Sequence, residues 1–361
     1  MMLARLGTRT YALLTVALLA AGCQTGPGET LAIADFSADN LRSFRSVQCG
    51  GPAGSCPGGA RGELRTDDTP ATLNGCPSPD THGCRFAVVP SPGAWGKALK
   101  VVTVAGGDHG AGDALFGGPR NEVLFAKEVD PEKTRYAEGD ERYYRWRTNF
   151  KDLPPPPDFR DALARGRGVS AYQIILQFHD DGTCHQHVPI TMGAIRTNTA
   201  QGRQTGNEYQ LSLSVDSDYD AVSSEGEPES RLWSSGTPIP KGWVDFVLHV
   251  VWSRRACPEP CAWDAPEGGL VELWVDGQHV LSRSLVTLST WPSVPSGSCV
   301  AGSACCEEQR NYPTLGGTEM PVYLKLGLYM DGTMNLASTV YHGDFRIGTT
   351  CGAVGAGCPR P

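Results

Sequence analysis

The sequence predicts an all-β fold, a two-sheet antiparallel β-jelly roll of the concanavalin-like sandwich type with disulfide-rich loop insertions. Three observations lead there. Apolar and polar residues alternate with period 2 in segment after segment, almost no stretch has helical periodicity, and turn formers abound, with 44 Gly and 27 Pro in 361 residues.

Taken in chain order, Met1 to Arg9 carries Arg5 and Arg9 and no acid, and an apolar run from Tyr11 to Ala21 follows, ending at Gly22-Cys23. This reads as a signal peptide over 1–22, too short to span a bilayer as a mature helix. Leu19-Ala20-Ala21-Gly22-Cys23 resembles a bacterial lipobox, which implies cleavage before Cys23 and lipidation of that residue. The chain is then tethered to the outer membrane rather than spanning it, as a cell-envelope or secreted protein. Residues 23–30 form the tether, 31–350 a single β domain, and 351–361 a Cys-containing tail. The stretch 49–90 is rich in Gly, Pro, Cys and Asp and reads as a disulfide-pinned insertion, as does Pro292 to Gly317.

Strand signals lie between and after these insertions. Tyr144, Trp146, Thr148 and Phe150 alternate with Arg145, Arg147 and Asn149. Tyr172, Ile174, Leu176 and Phe178 alternate with Gln173, Ile175, Gln177 and His179. Tyr209 to Val215 behaves similarly, and Trp243 to Trp252 puts Val244, Phe246, Leu248, Val250 and Trp252 on one face. Leu270 to Arg283 reads as a hairpin about Asp276-Gly277, a dipeptide that tolerates the positive φ of a tight turn. Tyr323 to Tyr329 and Val340 to Ile347 complete the set. Strands with one apolar and one polar face pack as two sheets, and a curved jelly roll suits a polar face that carries a groove.

The formal charge of −8 becomes −10 once the two arginines of 1–22 are removed. Nucleic acid and anionic membrane are poor partners for such a surface, and an acidic ligand needs its cations gathered in one cleft. Twelve cysteines follow Cys23, an even number in an exported chain, so disulfides are expected. No cofactor is expected. Cys257-x-x-x-Cys261 and Cys305-Cys306 lack the second half of a zinc motif. His185 and His187, beside Cys184, fit a disulfide-bearing loop better than a metal site. Asp216, Asp218, Asp220 and Glu227 match a calcium-loop spacing, but Ala221 takes the place of its glycine, and a solvated acidic loop is the preferred reading over structural calcium.

Residues two apart on a strand share a face. Tyr323, Lys325 and Tyr329 therefore oppose the three leucines between them, and Gly327 leaves room beside them. Gln177 and His179 lie on the non-core face of a second strand, Arg120 and Glu122 on that of a third. This set answers the needs of eliminative cleavage of a uronate chain. The weakly acidic C5 proton leaves only if the adjacent carboxylate is neutralised, which suits Arg120 and Gln177. His179 suits the base, and Tyr329 suits the acid that protonates the leaving glycosidic oxygen. Lys325 is placed to assist that proton transfer or hold the substrate, Tyr323 to stack on a sugar, and Arg145 and Arg147 to bind substrate at a groove rim. His249 and His342 are read as structural.

Arg120-Asn121-Glu122-Val123, Gln177-Phe178-His179 and the Tyr323 to Tyr329 strand resemble the three cleft motifs of jelly-roll alginate lyases. The layout of Gly139 to Tyr144, Trp243 to Ser253 and Val271 to Gly277 is similar to the heparin lyase I and glucuronan lyase group, in order over residues 115–348. The resemblance implies a jelly roll, lyase activity on an acidic polysaccharide, and His and Tyr as base and acid. Asn121 stands where alginate lyases carry Ser or Thr, and their Gln after the last Tyr is missing, so alginate itself is not implied. A monomer acting on a uronan is expected. A non-catalytic glycan-binding lipoprotein on the same scaffold stays open. A jelly-roll glycoside hydrolase ranks last, since no strand carries an E-x-D-x-x-E pair of facing carboxylates.

Overall fold

The structure, a computed structural model, describes residues 28–34, 36, 46–49, 61–63, 86–93, 96–103, 120–125, 136–137, 140–156, 172–180, 190–198, 204–215, 230–252, 269–286, 319–320, 322–330 and 337–359. Cys23 and most of its tether, most of the 49–90 insertion, the loop of 292–317, His185, His187 and the acidic loop of 216–227 lie outside the described residues.

Two large antiparallel sheets face each other. The first runs β15 (Gln278–Val286), β14 (Gly269–Val275), β13 (Trp243–Val251), β8 (Glu141–Asn149), β18 (Ser338–Gly348), β5 (Lys97–Thr103) and β4 (Phe86–Pro90), with β1 (Thr30–Ala34) also paired to β18. The second runs β12 (Ser230–Ser234), β11 (Gln204–Val215), β10 (Ile190–Asn198), β9 (Tyr172–Asp180), β17 (Val322–Met330), β6 (Arg120–Phe125), β2 (Ser46–Cys49) and β3 (Arg61–Glu63). A two-stranded ribbon joins β7 (Tyr136–Ala137) to β16 (Glu319–Met320). Neighbours such as β8 and β18 are far apart in the chain, as a jelly roll requires.

The core lies between the sheets because each supplies one apolar face. Tyr144, Trp146, Thr148 and Phe150 are buried, as are Val244, Phe246, Leu248, Val250 and Trp252, in the alternation the sequence predicts. Phe178 of the second sheet packs edge-on against Tyr144 at 4.9 Å and Trp252 at 5.2 Å in the first. The β14–β15 hairpin turns at Asp276 (φ 49°) and Gly277 (φ 77°), the positive pair expected of its dipeptide. Beyond β18, Cys351 and Cys358 form a disulfide. The tail docks on the first sheet, where Trp274 Nε1 donates to Pro359 O at 2.9 Å.

Bulges on β18 and β9 break the alternation. On β18 the register shifts between Gly343 and Arg346, and Asp344 adopts φ 50°. Core residues therefore switch from Val340 and His342 to Phe345 and Ile347. On β9, Leu176 pairs with Met192 and Ile174 with Gly193, so Ile175 is an extra residue against β10. Leu176 and Phe178 face the core after the bulge, whereas Gln173, before it, pairs with core-facing Met330. Gln173 is fully buried and accepts a 2.7 Å hydrogen bond from Ser338 Oγ in the opposite sheet. The single alternation through Tyr172 to His179 is thus corrected: the bulge sends Gln173 inward and turns Tyr172 and Ile174 outward.

His342 also bridges the sheets. Thr148 Oγ1 lies 3.1 Å from its Nδ1, and its Nε2 is 3.0 Å from Gly327 O. A carbonyl only accepts, so Nε2 carries the proton and Nδ1 accepts from the threonine. Burial pushes the imidazole down from 6.5 to about 4, against the bond to Gly327, which acts the other way. Between those values the unfolded chain binds a proton that the folded chain refuses. The associated stability is complete above pH 6.5 and is lost as pH falls towards 4, roughly 3 kcal/mol in all. Urea midpoints at pH 7 and pH 4.5, compared between the wild type and His342→Gln, check this. An equal acid loss in both proteins would assign it to other groups.

Candidate active site

The outer face of the second sheet gathers the predicted residues by register. On β17, Tyr323 lies opposite His179 and Lys325 opposite Gln177, both on β9. On the other side of β17, Gly327 lies opposite Glu122 and Tyr329 opposite Arg120, both on β6. Three adjacent strands therefore bring these positions together, while Leu324, Leu326 and Leu328 point into the core. The side chains of Arg120, His179 and Tyr323 lie outside the described residues, so these three are placed by backbone position.

The described side chains form a tight polar floor. Gln177 Nε2 donates to Glu122 Oε1 at 2.6 Å, and Lys325 Nζ lies 4.0 Å from Glu122 Oε2. All three groups are at most 2% exposed. Burying charges costs free energy unless they are paired, which the carboxylate and ammonium achieve together. The bond to Glu122 also fixes which end of the Gln177 amide is the donor end. On β10, Thr191 is the cross-strand neighbour of Gln177.

Gly327 serves closeness rather than space. A Cβ there would sit 2.3 Å from Asn121 O and 2.6 Å from Glu122 Cα. The room expected beside Lys325 is taken by the backbone of β6, and glycine is the residue that permits this approach.

Tyr329 is half-buried, and Tyr172 Oη donates to its Oη at 3.3 Å. An unbroken period of 2 puts Tyr172 on the core side, and the structure puts it on the outer face instead. The glycine at 193 is the local signal for the departure, since a Cβ there would lie 2.8 Å from Gln173 O.

Arg145 and Arg147 do not join this site. They lie on β8 of the first sheet and both hold Asp245, Arg145 Nη2 at 2.8 Å and Arg147 Nε at 2.9 Å. Arg145 also donates to Gly355 O of the tail. Alternation places them correctly on a polar face, but it is that of the other sheet, where Arg145 ties Asp245 to the tail and Arg147 pairs with Asp245.

His249 is likewise on the first sheet, buried, and stacked on Tyr143 at 4.1 Å. Its ring nitrogens lie 2.8 Å from Glu141 Oε1 and 2.7 Å from Glu272 Oε2. Burial acts to lower its pKa, but the two carboxylates outweigh burial and raise it. These partners explain a structural histidine. Among the described residues no group of three or more His, Cys, Asp or Glu is arranged to hold a metal ion.

The family model described as "Polysaccharide lyase" matches residues 81–346. The chain belongs to the polysaccharide lyase family. The match spans β4 through most of β18 and includes every strand that builds the polar floor. As a polysaccharide lyase, the protein is an enzyme on a two-sheet jelly roll. Among solved structures it is similar to the endo-β-1,4-glucuronan lyase of the fungus Trichoderma reesei, at 15% identity and TM-score 0.44, over 74% of this chain and 88% of that one. It is also similar to alginate lyase A1-II′, a member of polysaccharide lyase family 7, at 12% identity and TM-score 0.46, over 87% and 98% of the two chains. No curated protein matches the sequence significantly.

Proposed function

We propose that this polysaccharide lyase cleaves uronic-acid-containing polysaccharide by β-elimination on the outer face of its second sheet. The supporting observation is the register across three adjacent strands, with His179 beside Tyr323, Gln177 beside Lys325 and Arg120 beside Tyr329. Arg120 and Gln177 neutralise the substrate carboxylate, which makes the neighbouring C5 proton removable. His179 takes that proton. The C5–H electron pair becomes the C4=C5 double bond, the C4–O bond breaks, and its pair moves to the glycosidic oxygen, which takes a proton from Tyr329. Water is not consumed, and one product carries an unsaturated uronate. Lys325, buried against Glu122, supplies positive charge beneath the substrate, and Tyr323 stacks on a sugar ring.

The reading includes an exported chain, cut before Cys23 and lipid-anchored, whose residues 31–350 act as one monomeric domain. The Cys351–Cys358 disulfide supports the oxidising compartment this requires. Purified protein lacking residues 1–23 is incubated with glucuronan, alginate, heparin-type chains and related acidic polysaccharides. Ultraviolet absorbance from a conjugated product is expected with at least one polymer. New reducing ends without that absorbance would indicate hydrolysis, and binding without product a non-catalytic receptor; either result sinks the proposal.

A further inference from the structure

The site contains a phenol pair that the elimination scheme leaves without a role for one member. Tyr172 of β9 and Tyr329 of β17 meet oxygen to oxygen at 3.3 Å. Their rings pack edge-on, with centroids 5.7 Å apart and planes at 69°. The pair exists because of the bulge at Ile175, which restores Ile174 to the position opposite Tyr329 and brings Tyr172 round to the same face. Both rings are half-buried, and the edge-on packing holds the two hydroxyls together.

A phenolic hydroxyl has one proton to donate and lone pairs to accept. With Tyr172 donating to Tyr329 Oη, the proton of Tyr329 must point away from Tyr172. When Tyr329 gives up that proton, its oxygen becomes an anion that still receives the Tyr172 hydrogen bond. Hydrogen bonds to an ionised oxygen are roughly twice as strong as those between neutral groups. The contact therefore strengthens as the proton leaves, the kind of interaction that speeds a chemical step without tightening ground-state binding.

We propose that Tyr172 is a positioning residue for the acid: it aims the Tyr329 proton at the leaving glycosidic oxygen and stabilises the phenolate left behind. The inference rests on Tyr329 being the acid in the proposed elimination. Tyr172 keeps its own proton throughout; Tyr329 transfers one to the oxygen that receives the C4–O electron pair and regains one from solvent after product leaves.

Tyr172→Phe tests this, because it keeps the ring and removes the donor. With a polymer found to be cleaved, kcat is expected to fall about tenfold with KM nearly unchanged, and the alkaline limb of the kcat profile to move up by about one pH unit. On a uronate whose C4 substituent is nitrophenolate, a leaving group that needs little protonation, the deficit is expected to shrink to less than about threefold. Equal losses on both substrates with an unmoved pH limb would make Tyr172 merely structural and overturn the inference. Wild-type kinetics in Tyr172→Phe, with Tyr329→Phe inactive, would also overturn it while leaving the elimination intact. An inactive wild type, or a fully active Tyr329→Phe, would defeat the elimination reading and this inference with it.

Discussion

His179→Ala and Tyr329→Phe each lower the rate of unsaturated-product formation by about 10²–10⁴-fold, with KM changed little. The alanine variant removes the imidazole, leaving water as a poor base for a carbon-bound proton. The phenylalanine variant keeps the ring that packs 5.7 Å from Tyr172 and removes the proton donor. Polymer binding is expected to persist in both, because the proposed carboxylate-binding pair Arg120 and Gln177 remains, and affinity electrophoresis in gels containing the polymer measures it. The double variant is expected to lose much less than the product of the two single losses, since the proposed elimination needs both groups acting as a unit. Full activity in both single variants would strip these residues of their roles.

Glu122→Ala destabilises the fold by about 3–5 kcal/mol, measured as a fall in the urea midpoint at unchanged m-value. Glu122 is 1% exposed and sits between Gln177 Nε2 at 2.6 Å and Lys325 Nζ at 4.0 Å. Removing it takes the facing carboxylate from an ammonium that is itself 2% exposed. It also frees the Gln177 amide to rotate, so the folded fraction loses kcat/KM as well. Glu122→Gln keeps an acceptor for Gln177 but not the charge, and is expected to fall between the wild type and the alanine variant in stability. A Glu122→Ala protein that unfolds at the wild-type midpoint would mean the buried pair contributes nothing to the fold.

Local alternation makes much of this site legible in the sequence. Tyr323, Lys325 and Tyr329 are separated from the core leucines by period 2 alone, and Leu324, Leu326 and Leu328 are indeed buried. The same rule assigns Arg145 and Arg147 to a polar face without saying which sheet carries it, because facing is local and sheet membership depends on pairing across the chain. Arg145 meets Asp245 across a separation of 100 residues, a contact that spacing does not encode. Tyr172 escapes the rule for a different reason: one extra residue at a bulge reverses every facing beyond it, and the clue lies in a glycine on the neighbouring strand.

The sequence by itself determined the all-β class, the faces of the regular strands, the Asp276-Gly277 hairpin and the residue types fit for eliminative chemistry, since each follows from short-range geometry along one segment. The tertiary structure alone decided that β6, β9 and β17 lie side by side, that Glu122 joins Gln177 and Lys325 beneath them, that His342 ties one sheet to the other, and that Tyr172 reaches Tyr329. Those outcomes depend on register and bulges between distant segments, which are fixed when two sheets bury their apolar faces against each other.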